Sequence, residues 1–173
     1  PYNELIGEVS YDILWVRPEW LETNRDDALA FIRAMDKAKR FIAENPQEAT
    51  DIAAATAIGG GENPDFDRAV IDMRIGMQSN GPGVEEHGMG WCDAETFQRA
   101  ADEMLELGIL EQSIQATDHL ENIFFPGHDE EVASAAAECT EVRYVPWGPR
   151  LIDFVDIYVA EELGFFADEG LCV

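Results

Sequence analysis

Trp147 stands in a turn bounded by Pro146 and Pro149, directly after the alternating run from Glu141 to Val145. Asp153 and Phe154 open the helical pattern that follows. In an open α/β sheet, ligands gather where the carboxyl ends of strands meet helix N-termini. An aromatic face beside a carboxylate suits a planar, nitrogen-bearing ligand that stacks and donates hydrogen bonds. The same residues also fit a plainer role, with Trp147 closing the top of the core and Asp153 capping a helix. Tyr11 shares one side of an earlier strand pattern with Trp15, and both core packing and a place in a cleft are open to it.

Other reactive side chains carry less. His87, His119 and His128 have no HExxH-like spacing, so no metal is expected on them. Gly59, Gly60 and Gly61 follow a helical pattern and lead to no GKS or GKT, so they read as a helix stop and connector, not a phosphate cradle. Ser79, Ser113 and Ser134 lack the glycines of a nucleophile elbow. Cys92, Cys139 and Cys172 show no CxxC spacing: one disulfide can form, and a cysteine-ligated metal is unsupported. Carboxylates are too abundant for pairing to mean anything. The expectation is a binding protein with no cofactor and no catalytic residue.

That abundance is itself informative. The 173 residues hold 36 Asp and Glu against 11 Lys and Arg, a formal net charge of -25, and the only lysines are Lys37 and Lys39. Nucleic acid and anionic membranes are poor partners for such a surface, since both are held by basic side chains. With 46% apolar residues the chain can still build a core, so the acid belongs on the outside. Repulsion among like charges weakens when the Debye length shrinks to about 3 Å in molar salt. Scarce lysine with retained arginine therefore suggests a halophilic acidic surface. No apolar run is long enough for a transmembrane segment.

The positioning elements read as follows. VSYDILWV, residues 9–16, has the pattern of a buried strand ending before Pro18. Thr23 and Asp26 form a capping box for a helix over 25–44, with Ala28, Phe31, Ile32, Met35, Ala38 and Ile42 inward. Asn45 caps a second helix that begins at Pro46 and reaches Ile58. Asn63-Pro64 opens a third, carrying Phe66, Val70, Ile71 and Met73, before a glycine-rich loop over 79–90. Asp93 caps a fourth, closed by Gly108, with Phe97, Ala101, Met104 and Leu105 inward. An extended patch at 123–125 and a short helix over 130–137 follow. The last section reads as a strand over 141–145, a turn, a helix over 152–163 ended by Gly164, and a strand from Gly170. This starts a β-α-β unit without completing a sheet.

Two stretches carry a family resemblance. DALAFIRAMDKAKRFIAENPQEATDIAA, GMGWCDAETFQRAADEMLELGIL and ENIFFPG together resemble the C-terminal half of solute-binding proteins of ABC importers, over about residues 9–127. The branch is that of the pyrimidine-precursor (thiamin precursor), riboflavin and sulfonate binders. VRYVPWGPRLIDFVDIYVAEELGFFADEGLCV, residues 142–173, is similar to the mature N-terminus of the same family. The two halves stand in reversed order, as in a piece of a tandem protein or a shortened circular permutant.

The resemblance implies an α/β fold: a fragment of the type II periplasmic-binding-protein fold, helix-rich with an incomplete parallel sheet. Residues 1–128 correspond to the C-terminal-half-like part, 129–141 to a linker or short helix, and 142–173 to the β-α-β start. Trp147 and Pro149 match the family's ligand-facing loop, and Tyr158 falls on its helix as packing. Asp153 lies near the family's polar ligand contact, and Phe154 stands where pyrimidine-precursor binders often have histidine. The implied function is capture of a small planar or anionic solute, pyrimidine-like or sulfonate-like, for an ABC permease. The implied location is the extracellular or periplasmic face, membrane-tethered in the parent protein, with the signal segment outside this chain. The ligand set is then Trp147, Asp153, Phe154 and Tyr11, and this chain alone is expected to bind weakly. The alternatives are a pyrimidine-precursor synthase-like enzyme of thiamin biosynthesis and a fragment without activity of its own.

Overall fold

A computed structural model describes residues 13–81, 83–88, 91–120, 139–146 and 148–173. Its helices are α1 (Pro18–Thr23), α2 (Arg25–Glu44), α3 (Pro46–Thr56), α4 (Pro64–Ser79), α5 (Val84–His87) and α6 (Ala94–Glu106). Strand β1 (Thr140–Glu141) leads through a 3-10 turn (Ile152–Phe154) to α7 (Val155–Glu162), α8 (Phe165–Asp168) and β2 (Leu171–Cys172). The fold is therefore a helix-rich α/β arrangement with a small, open parallel sheet. Tyr11, Trp147, His128, the extended patch at 123–125 and the helix over 130–137 lie outside the described residues.

The centre of the molecule is α7. Its sequence, VDIYVAEE, is apolar on nearly every side, and a helix of that kind must be surrounded. Val155 and Val159 are fully buried, against Ala34, Ala38 and Ile42 of α2, Ala49 and Ala53 of α3, and Ile71 of α4 in one core cluster. Each of the four large side chains buried completely, Ile42, Ile71, Val155 and Val159, is worth about 1.5–3 kcal/mol. The alanines let the helices approach closely. Residues 151–171 and the helices of residues 25–79 thus share one core.

The β-α-β unit closes on itself. Thr140 pairs with Leu171 and Glu141 with Cys172 in parallel register, with Thr140 N donating to Gly170 O (2.9 Å) and Val142 N to Cys172 O (2.9 Å). A disulfide joins Cys139 to Cys172 beside this pairing, Cα to Cα 5.5 Å. The opposite side is held by charge. Arg33 Nε (2.7 Å) and Lys37 Nζ (2.9 Å), both on α2, donate to the two oxygens of Glu169, just past α8. Burial would raise the Glu169 carboxyl, but the hydrogen bonds from Lys37 and Arg33 and their charges win and hold it below its ordinary value.

Several expectations are corrected. Residues 13–16 form no strand, and Trp15 is 84% exposed, because no described strand offers its backbone a partner. The strand expected over 141–145 shrinks to two residues, since β2 supplies partners only as far as Cys172. Thr23 does not cap α2: it ends α1, where its hydroxyl donates back to Trp20 O (3.2 Å). Asn45 makes no side-chain cap on α3 and instead donates to Phe41 O at the end of α2 (3.2 Å). On α2, Ala30 and Ala34 are buried where Ala28 and Ile32 were expected. Asn63, Asp93 and Gly108 behave as read: the first two accept from Phe66 N and Thr96 N, and Gly108 is left-handed (φ 71°) after α6. Phe66 and Met73 of α4 and Met104 of α6 are, however, exposed. Among the described residues, no helix is long and apolar enough to cross a membrane.

Candidate functional site

The turn from Arg150 to Phe154 forms a partition between two open grooves. Arg150 and Phe154 line the first, and Leu151, Ile152 and Asp153 line the second. The turn is anchored from both sides: Ile58 N donates to Arg150 O (2.8 Å), and Tyr158 Oη donates to Leu151 O (3.0 Å). Successive side chains of a 3-10 turn diverge by about 120°. Asp153 and Phe154, adjacent in sequence, consequently serve different grooves.

The first groove, about 590 Å³, is built by residues 141–146 after β1, Cys172 and Val173 at the end of β2, and one side of α7. It therefore lies at the carboxyl ends of both parallel strands, where α/β folds place ligands. Tyr144 and the edges of the buried Phe154, Tyr158 and Phe166 supply aromatic surface, while Arg143 and Arg150 are matched in the lining by Glu141 and Glu161, with Arg143 Nε donating to Glu141 Oε1 (3.0 Å). The rings are braced from below, with Phe31 of α2 stacked on Tyr144 (centroids 6.0 Å) and on Phe166 (5.1 Å). Burial pushes the Tyr144 hydroxyl up, and the Asp156 carboxylate adds to this against the opposing charge of Arg74. Burial also raises Tyr158, although Arg150 pulls the other way. Both phenols thus keep their protons at neutral pH and remain hydrogen-bond donors.

Behind this wall lies a buried polar group that sequence reasoning missed. Asp156, 5% exposed, accepts from Gln78 Nε2 (2.9 Å), and Arg74 Nη2 stands 3.8 Å from the same oxygen. A carboxylate in the first turn of a helix meets the favourable end of the dipole, and buried charge requires such company. The signal was present: an aspartate inside VDIYVA, and Arg74 and Gln78 one helical turn apart on α4.

The second groove, about 540 Å³, runs between the end of α3, the exposed side of α4 and the partition. Ile58, Phe66, Val70 and Met73 make its apolar side. Its charged lining residues are Glu62, Asp67 and Asp153. Asp67 is 4% exposed and accepts from Gly61 N (2.7 Å), which fixes the glycine turn. Asp153 caps nothing: α7 has no side-chain cap, and the buried Oδ1 of Asp153 accepts no hydrogen bond. Tyr11 and Trp147 lie outside the described residues, so of the four expected ligand contacts the structure places Asp153 and Phe154.

Among the described residues, no cluster of three or more His, Cys, Asp or Glu could hold a metal ion. Cys92 is in no disulfide, and its thiol is raised by burial against a lowering influence from Lys39. No family model matches this chain, and no curated protein or solved structure matches it.

Proposed function

We propose that this chain is a solute-binding component of an ABC importer, with elements of a type II periplasmic-binding-protein fold, and that its first groove receives a small planar or anionic solute. The observation that carries the reading is the position of that groove at the carboxyl ends of β1 and β2, walled by aromatic rings and two arginines. A planar solute stacks on Tyr144, and the Arg150 guanidinium takes its anionic edge. In this reading no bond is made or broken, and the solute is passed unchanged to a permease. The protein works outside the cytoplasm, membrane-tethered in its parent, in concentrated salt that screens the net charge of -25.

The groove is one open wall, so affinity for a single solute is expected to be weak, about millimolar. NMR titration with a pyrimidine and an aromatic sulfonate in molar salt tests this. Shifts should concentrate at Tyr144, Tyr158 and Arg150, and Arg150→Ala should weaken the sulfonate about tenfold. Shifts that bypass this groove would sink the reading. So would conversion of the solute over time, which would favour the synthase-like alternative.

A further inference from the structure

The second groove has a different charge balance, and the first groove's role does not account for it. Its lining contains no lysine or arginine, while Glu62, Asp67 and Asp153 all contribute to it. Its apolar side is open to solvent, with Ile58 71%, Phe66 58% and Met73 55% exposed. We propose that this groove is a second binding site, for a small organic cation that carries a primary ammonium on an aromatic body.

Three observations support that choice. The volume, about 540 Å³, is within the range of small-molecule sites. Phe66 and Met73 offer an aromatic face and a polarizable thioether, the surfaces an aryl group packs on. Asp153 supplies the charge. Its Oδ1 is enclosed and accepts no hydrogen bond, so no protein donor neutralises the carboxylate through that atom, and its charge adds to that of the other acids facing the groove. Aspartate χ2 is soft, so rotation can offer either oxygen to the ligand. Asp67 adds negative potential, although its Oδ2 is committed to Gly61 N.

The same features disfavour other occupants. A bare metal ion finds too few oxygen ligands on a wall that is mostly apolar. A solute with a carboxylate or sulfonate would face three acids with no base in the lining. An ammonium on an aromatic body satisfies both halves of the groove.

The test uses phenethylammonium, with 2-phenylethanol as the neutral analogue, titrated into the whole chain at fixed molar salt and followed by the methyl resonance of Met73 and the ring resonances of Phe66. Saturable shifts are expected for the ammonium, at least about tenfold tighter than for the alcohol. Asp153→Asn, similar in shape and at a position without a hydrogen bond to lose, should weaken the ammonium about tenfold and leave the alcohol unchanged. Equal binding of ammonium and alcohol would overturn the proposal. Indifference to Asp153→Asn, or no saturable shift, would do the same. None of these outcomes bears on the first groove, whose probes and reporters are different.

Discussion

Residues 150–154 serve both grooves, but the two settings differ. On one side, Arg150 and Phe154 face a β-α-β unit stapled by Cys139–Cys172 and clamped to α2 through Glu169. On the other, Leu151, Ile152 and Asp153 face an exposed stretch of α4 and a glycine turn, with no disulfide in that wall. The first is aromatic with two arginines set against two glutamates, and the second is acidic and apolar. In so acidic a chain, charge is thus informative locally: what matters is where the few arginines stand. The stapled groove should also be the more rigid of the two.

The largest test of that contrast removes the staple. Cys139 and Cys172 are 33 residues apart, and closing a loop of that size is worth about 3–4 kcal/mol on chain-entropy grounds. The paired Cys139→Ser and Cys172→Ser variant should lose that much in urea denaturation. Below its transition it should bind sulfonate less well while keeping phenethylammonium. Equal loss at both grooves would break the comparison.

Glu169→Gln comes next, at about 2 kcal/mol, since its carboxylate receives two charged hydrogen bonds while largely buried. The pH dependence has a definite sign. The folded carboxyl lies below its ordinary value of 4.5, so its contribution is complete above that value and disappears as pH falls through the folded one. Acid denaturation monitored by circular dichroism should therefore be steeper in the parent chain than in the glutamine variant. An identical acid profile would show that the clamp does not hold the unit.

Gly60→Ala disturbs the other wall, at about 3 kcal/mol toward the upper end of overpacking costs. A β-carbon there would collide with the backbone of Ala54, so the turn beside the second groove must shift. Phenethylammonium affinity should fall and sulfonate affinity should hold. Loss of both would mean that the partition transmits the distortion.

Legibility from the sequence follows the range of the interaction. Asn63, Asp93 and Gly108 are readable because each acts within a few residues. Thr23 and Asn45 are misread because a helix end offers carbonyls as well as N–H groups, and both side chains turned back to the helix before them. Ile13 to Val16, the described part of VSYDILWV, have the composition of a strand, but a strand also needs a neighbour, and composition cannot supply one. Asp153 and Phe154 are adjacent in sequence, and their placement on different grooves is not legible there, because it depends on a 3-10 turn in place of a first α-helical turn. The contact between Asp156 and the α4 residues Arg74 and Gln78 spans about half the chain, so only the folded structure reveals it.

The Cys139–Cys172 bond has a topological consequence too. With both strands inside it, the β-α-β unit becomes a covalent ring. A protease that cuts once in the exposed Pro149–Arg150 turn would leave two pieces that migrate as one until a reductant separates them. A pull applied to residues on either side of the ring would travel through the sulfurs, leaving α7 unloaded at the centre of the core.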